Sequence, residues 1–273
     1  NCSYCTYYHF LGILNIYKEE ENMIKWLLII LIVLMYLVGG ERGIKCILTL
    51  IGNVLVLLMI VFLVYLGVPS VIATIIGGIA ICSMTLFFQN DENVKTKSAF
   101  IAVCVVMILF FAFAFIIGYG GNINGFNELD SVENQLYYDS DINIDMMKLG
   151  VSVIILGLLG AVIDSAMAIS SGVNEVYENN KHLTLLELFE SGLNVGKDII
   201  GTTMNTLFFA YIGETLMLYI LAHAMKYDLA TFLNSKIFFF DITCILFSAL
   251  GCIIIIPLSA LITSYELTKQ DIE

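Results

Sequence analysis

The sequence predicts an all-α fold, a polytopic transmembrane helical bundle of about seven spans, and three observations predict it. Of its 273 residues, 59% are hydrophobic and 13% charged, too few polar groups to coat a soluble domain. Apolar runs long enough to cross a hydrocarbon core recur along the chain. These runs do not alternate apolar with polar residues, as barrel strands do, so they read as helices. The formal net charge of -12 disfavours nucleic acid as a partner and leaves the lipid bilayer as the first one.

The elements follow in order. Residues 1–22 precede Met23, which opens MIKWLLIILIVLMYLVGG, a natural start for a membrane protein. Just upstream, Lys18-Glu19-Glu20-Glu21-Asn22 is what a translated bacterial ribosome-binding site would encode. The expectation is an N-terminal extension over 1–22, a translated leader, followed by one transmembrane domain over 23–273. N-terminal sequencing of the native protein tests it, and a start upstream of Met23 would rule it out. Cys2 and Cys5 form a lone C-x-x-C, which is poor grounds for a metal or redox site. The other five cysteines stand singly in apolar runs and read as packing residues.

The spans fall at about 24–40, 44–66, 69–88, 98–118, 148–172, 199–224 and 237–263. The first is the shortest and runs through Val38-Gly39-Gly40 into charged Glu41-Arg42 and a second span, so no cleavable signal peptide is read there. Spans one to four read as lipid-soluble filler, with Gly77-Gly78 allowing close packing. The long loop 119–147 holds six acidic residues from Glu128 to Asp145 and no base before Lys148. Its DSDINID lacks the glycine and the terminal glutamate of a calcium loop, so no metal site is assigned. In the other long loop, 173–198, LTLLELFESGLNVG is amphipathic and predicts a short helix lying at the interface. Pro257 predicts a kink in the last span. Lys and Arg are more numerous on the side of Arg42, Lys45, Lys95, Lys97, Lys181, Lys197 and Lys269, which puts the N-terminus outside and the C-terminus in the cytoplasm.

Spans five and six carry polar groups at membrane depth. At about 100° per residue, Gly157, Gly160, Ala161, Asp164, Ala168, Ser171, Gly172 and Glu175 fall on one stripe of span five. Ile154, Leu158, Leu159, Val162 and Ile169 fall elsewhere. Small residues in a stripe let a neighbouring helix approach. An intramembrane carboxylate costs about 2.5–3.5 kcal/mol on insertion scales, so Asp164 needs a proton, a cation or donor side chains. On span six, Thr202, Thr203, Thr206, Ala210, Gly213 and Glu214 share about a third of the circumference, with Asn205 at its edge. At about 1.5 Å per residue, Thr202, Asn205 and Thr206 lie near enough in depth to meet Asp164 if the two helices are neighbours. Glu214 lies about 9–10 Å further outward and reads as a second station. The candidates for ion or proton coupling are thus Asp164, Glu214, Thr202, Asn205 and Thr206. Those for helix packing are Gly157, Gly160, Ala161, Ala168, Gly172 and Gly213.

The same residues carry a resemblance. GAVIDSAMAISSGVNEV (160–176) and ESGLNVGKDIIGTTMNTLFFAYIGETL (190–216) resemble the YibE/F family of bacterial multi-pass membrane proteins. The matching positions include Gly160, Asp164, Ser170, Gly172, Gly192, Asn194, Gly196, Asp198, Gly201, Thr202, Asn205, Thr206, Tyr211 and Gly213. The resemblance implies a helical fold in a bacterial plasma membrane and a hetero-complex with a YibE-like partner that bears an extracytoplasmic domain. The present chain would be the shorter, YibF-like member. A weaker similarity links the Gly-x-x-x-Asp-x-Ala helix and the Thr-rich helix to the transmembrane core of SecD/SecF and related RND exporters. There the aspartate takes up and releases protons, and Asp164 would match it.

Enzyme classes are disfavoured. An intramembrane aspartyl protease needs two facing aspartates, and Asp164 has no evident aspartate partner and no G-x-G-D. A serine protease needs a base at the depth of its serine, and His223 lies at the opposite end from Ser170 and Ser171. With no nucleotide-binding motif, no cofactor is implied. The reading is a non-enzymatic subunit of an ion- or proton-coupled transporter or exporter; the alternative is a non-catalytic scaffold or assembly partner.

Overall fold

The computed structural model describes residues 2–90, 92–120, 145–224, 226 and 228–270. The side chains of 2–22, 119, 214, 218, 221, 222, 237 and 270 are outside the description. The long acidic loop lies almost wholly outside it, as do the side chains of the segment read as a leader. Every described element is helical. They are α1 (Cys2–Tyr65), α2 (Ser70–Ser83), a π-helical turn (Met84–Phe88), α3 (Val94–Gly120), α4 (Met146–Asn179), α5 (Leu185–Ala224), the short α6 (Leu229–Leu233) and α7 (Lys236–Gln270). Among the described residues five stretches are long and apolar enough to cross a membrane: Met23–Tyr65, Ser70–Phe88, Val94–Gly118, Met146–Asn179 and Phe238–Lys269. The protein is an integral membrane protein.

Two compact units divide the chain, residues 1–52 and 53–273. The first is interrupted at Gly40, whose φ of 56° and ψ of -131° belong to no helix. That break falls at the predicted border between spans one and two. Only glycine adopts such a backbone at little cost. A side chain on Gly43 would collide with the Met35 carbonyl, so the chain turns back sharply there.

In the second unit, α1 ends where Gly67, at φ 89°, donates its N–H to the Val64 carbonyl while Val68 donates to that of Leu63. This pair of bonds satisfies carbonyls at the helix end, and Pro69 follows. The central helix is α4, which packs against α2, α3, α5 and α7. Its Val151, Ile154, Ile155, Leu158 and Val162 are fully buried, among Val103 and Val106 of α3 and Ile255 of α7. At 34 residues, α4 runs to about 51 Å, beyond the roughly 30 Å of a hydrocarbon core. Asp145 caps it by accepting a hydrogen bond from the Lys148 backbone N–H at 3.2 Å.

One element differs from expectation. The amphipathic segment 183–196 does not form a separate interfacial helix: α5 runs unbroken from Leu185 to Ala224. The reason is steric. Leu188, Gly192 and Gly196, four residues apart, form a buried face. A Cβ on Gly192 would lie 2.6 Å from a Val173 methyl and 2.8 Å from the Ala260 Cβ, and one on Gly196 would strike Ile256. The two glycines let α5 lie directly on α4 and α7. At the N-terminus of α5, the Glu187 carboxylate accepts hydrogen bonds from the Thr184 N–H and hydroxyl, each 2.8 Å, a variant of the capping box. The last span holds Pro257 inside a continuous α7.

Candidate functional site at the Asp164 face of the central helix

Packing fixes the rotation of α4, and rotation decides where Asp164 points. The residues that bury α4 leave one stripe uncovered: Val153, Gly157, Gly160, Asp164 and Glu175 are exposed. Among the described residues none forms a hydrogen bond with the Asp164 carboxylate, and no salt bridge to it occurs. Turning it inward would mean unpacking Leu158 and Val162, both fully buried.

The carboxylate stands beside the end of α2. Thr85, Leu86, Gln89 and Asn90 form one wall of a half-open groove of about 260 Å³; Ile163, Asp164, Met167, Ala168 and Ser171 form the other. Thr85 and Leu86 belong to the π-helical turn, and Gln89 and Asn90 follow it directly. Leu86 is fully buried and anchors the turn. Asn53 Nδ2 donates to Thr85 Oγ1 at 3.1 Å, and Asn90 Nδ2 donates to the Thr85 carbonyl at 3.3 Å. The Asn53 Oδ1 is buried and has no hydrogen-bond partner. No basic side chain lines the groove. π-helical turns inside α-helices concentrate at functional sites.

The other predicted residues are distributed differently. Thr202, Asn205 and Thr206 are exposed on α5 and do not line this groove. The Thr202 hydroxyl donates to the Ile199 carbonyl and that of Thr206 to the Thr202 carbonyl, each at 2.9 Å. The side chain of Glu214 lies outside the description. Of the small residues, Gly172 packs on Val195 at the α4–α5 contact, while exposed Gly157 lies at its edge, where a Cβ would come 3.1 Å from the Tyr211 hydroxyl. Gly160 and Gly213 face open space. Ala161 and Ala168 are half-buried, and Ala168 lines the groove.

Sequence reasoning passed over Thr85, Gln89 and Asn90. The signal was present: in TLFFQN a threonine and an amide stand four residues apart at the end of an otherwise apolar run. It named Ser170 as a family position and a rejected nucleophile but not its bonding partners: the hydroxyl lies 2.9 Å from both Ser259 and Thr263 of α7. Among the described residues no group of three or more His, Cys, Asp or Glu converges. What the groove offers is a single carboxylate among neutral oxygen and amide groups.

The sequence model for YibE/F-like proteins matches residues 27–269. No curated protein and no solved structure matches the chain. The similarity to the SecD/SecF core therefore has no support beyond the motif residues.

Proposed function

The chain belongs to the YibE/F-like family, and within that family we propose that it is a non-enzymatic subunit of an ion- or proton-coupled transporter in the bacterial plasma membrane. One observation carries the reading: Asp164, on a membrane-spanning helix, is uncovered, unpaired and bordered by a polar groove. A carboxylate at such depth is costly unless its charge is matched. A residue that only pinned helices together would be sealed and fully bonded, and Asp164 is neither. The C-terminal half of α5 supports the word subunit. Thr202, Asn205 and Thr206 are exposed there together with Phe208, Phe209 and Ile212. The two threonine hydroxyls are spent on backbone carbonyls of their own helix, but the exposed Asn205 amide is poorly matched to lipid, so a YibE-like partner helix is the natural cover. The excess of Lys and Arg near residues 95–97, 181, 197 and 269 supports a cytoplasmic location for the groove end of the bundle.

The test is a flux measurement. The protein, with any partner that co-purifies, is reconstituted into vesicles holding a pH-sensitive dye, and proton and alkali-cation gradients are imposed. Wild-type vesicles should dissipate a gradient and Asp164→Asn vesicles should hold it. Wild-type vesicles as tight as empty ones would favour the scaffold reading.

A further inference from the structure

We infer that the groove between α4 and the π-helical turn is a binding site for a monovalent hard cation of the alkali type, held by Asp164 and the side-chain oxygens of Thr85, Gln89, Asn90 and Ser171. The inference deepens the transport reading, rests on it, and names the coupling ion's class.

Charge comes first. The lining carries one carboxylate and no basic group. A monovalent cation makes the groove neutral. A divalent one would leave a net positive charge in a low-dielectric setting, and sites for divalent ions usually add further carboxylates or keep phosphate ligands. Soft metals are disfavoured by ligand type, because Met167 is the single soft ligand among oxygen donors and neither histidine nor cysteine lines the groove.

Orientation comes second. The Asn90 Nδ2 is tied to the Thr85 carbonyl, which leaves its Oδ1 as the free end. Asn53 likewise spends its Nδ2 on Thr85 Oγ1. A hydroxyl oxygen has two lone pairs, so Thr85 Oγ1 keeps one for a ligand. The bond from Asn53, which lies outside the lining, fixes the Thr85 hydroxyl, and the tie on the Asn90 Nδ2 leaves that amide's oxygen for the groove. That arrangement suits a cation, whereas a proton would need only the carboxylate.

Size comes third. At about 30 Å³ per water, a groove of about 260 Å³ holds an ion with part of its hydration shell. A half-open, partly hydrated site allows an ion to leave as well as enter, as transport requires.

The thermal unfolding midpoint of the detergent-solubilised protein, followed against sodium, potassium or choline chloride at fixed ionic strength, tests this. At least one alkali cation should raise the midpoint saturably over choline. Asp164→Asn should abolish that rise. Thr85→Val should raise the half-saturating concentration about tenfold, the scale of one lost bond to a charged group, and Thr85→Ser should restore it. Equal midpoints in all three salts, equal stabilisation by choline, or stabilisation that survives Asp164→Asn would each overturn the inference. Vesicle flux separates the two claims. Asp164-dependent proton flux without alkali stabilisation sinks the cation site and leaves the transport reading standing. Alkali stabilisation without any flux does the reverse.

Discussion

Ser170 of α4 and Ser259 of α7 share a hydrogen bond 2.9 Å long, and Ser259 lies 3.0 Å from the Ala166 carbonyl, to which it donates. Thr263 closes the cluster on Ser170. All three side chains are fully buried. Ser170→Ala should therefore destabilise by about 0.5–2 kcal/mol, the range for interhelical bonds in membranes. Adding Ser259→Ala should cost less than the sum of the single changes, because the two share one bond. Unfolding in mixed micelles measures both.

Glycines on α4 and α5 should respond oppositely to the same change. Gly192 would bring a Cβ against Val173 and Ala260, neither a flexible chain end, whereas Gly160 meets nothing. Gly192→Ala should destabilise by about 1–3 kcal/mol. Gly160→Ala should be neutral, or stabilising by up to about 1 kcal/mol through helix propensity. Unfolding midpoints of the two variants give the comparison.

Asp164→Asn separates a coupling site from a structural pin. If the carboxylate is kept for coupling, removing its charge should leave stability unchanged or raise it, by up to about 2–3 kcal/mol, while flux is lost. A destabilised Asp164→Asn protein would mark the residue as a packing element. Unfolding and flux on the same preparation decide between them.

Two carboxylates outside the spans tie helix starts to pH. Hydrogen bonds from the Lys148 side chain and then its backbone hold the Asp145 carboxyl below its usual range. The Thr184 backbone N–H, and then its hydroxyl, do the same for Glu187. A carboxyl whose folded value is lowered stabilises fully above its unfolded value, about 4. That contribution fades as pH falls through the lowered folded value. Amide exchange at Lys148 and Thr184 should thus be slow at neutral pH and quicken, relative to neighbouring amides, below about pH 4. Asp145→Asn and Glu187→Gln should remove that step.

Much of this arrangement was legible. The uncovered stripe of Gly157, Gly160, Asp164 and Glu175 is what a turn of about 100° per residue selects, and Ile154, Leu158 and Val162 on the other side are buried. The break at Gly40 was legible because two glycines precede a charged pair. Periodicity gives faces but not neighbours. It could offer Thr202, Asn205 and Thr206 as company for Asp164 by depth alone, whereas the groove joins Asp164 to Thr85, Gln89 and Asn90. The continuity of α5 was hidden for a related reason. An amphipathic stretch looks alike whether its apolar face meets lipid or the side chains of Val173, Ile256 and Ala260.

The π-helical turn also sets a phase. A turn of that kind spends one residue more than an α-turn, and one residue of α-helix is worth about 100° of rotation. Were Met84–Phe88 to tighten into a regular α-turn, everything after it would be re-indexed by roughly that angle. Gln89 and Asn90 would swing away from Asp164 and the opposing wall would lose its amides. The extra residue therefore acts as an angular offset built into the backbone, by which a small change in winding at one turn would assemble or dismantle the groove without moving α4.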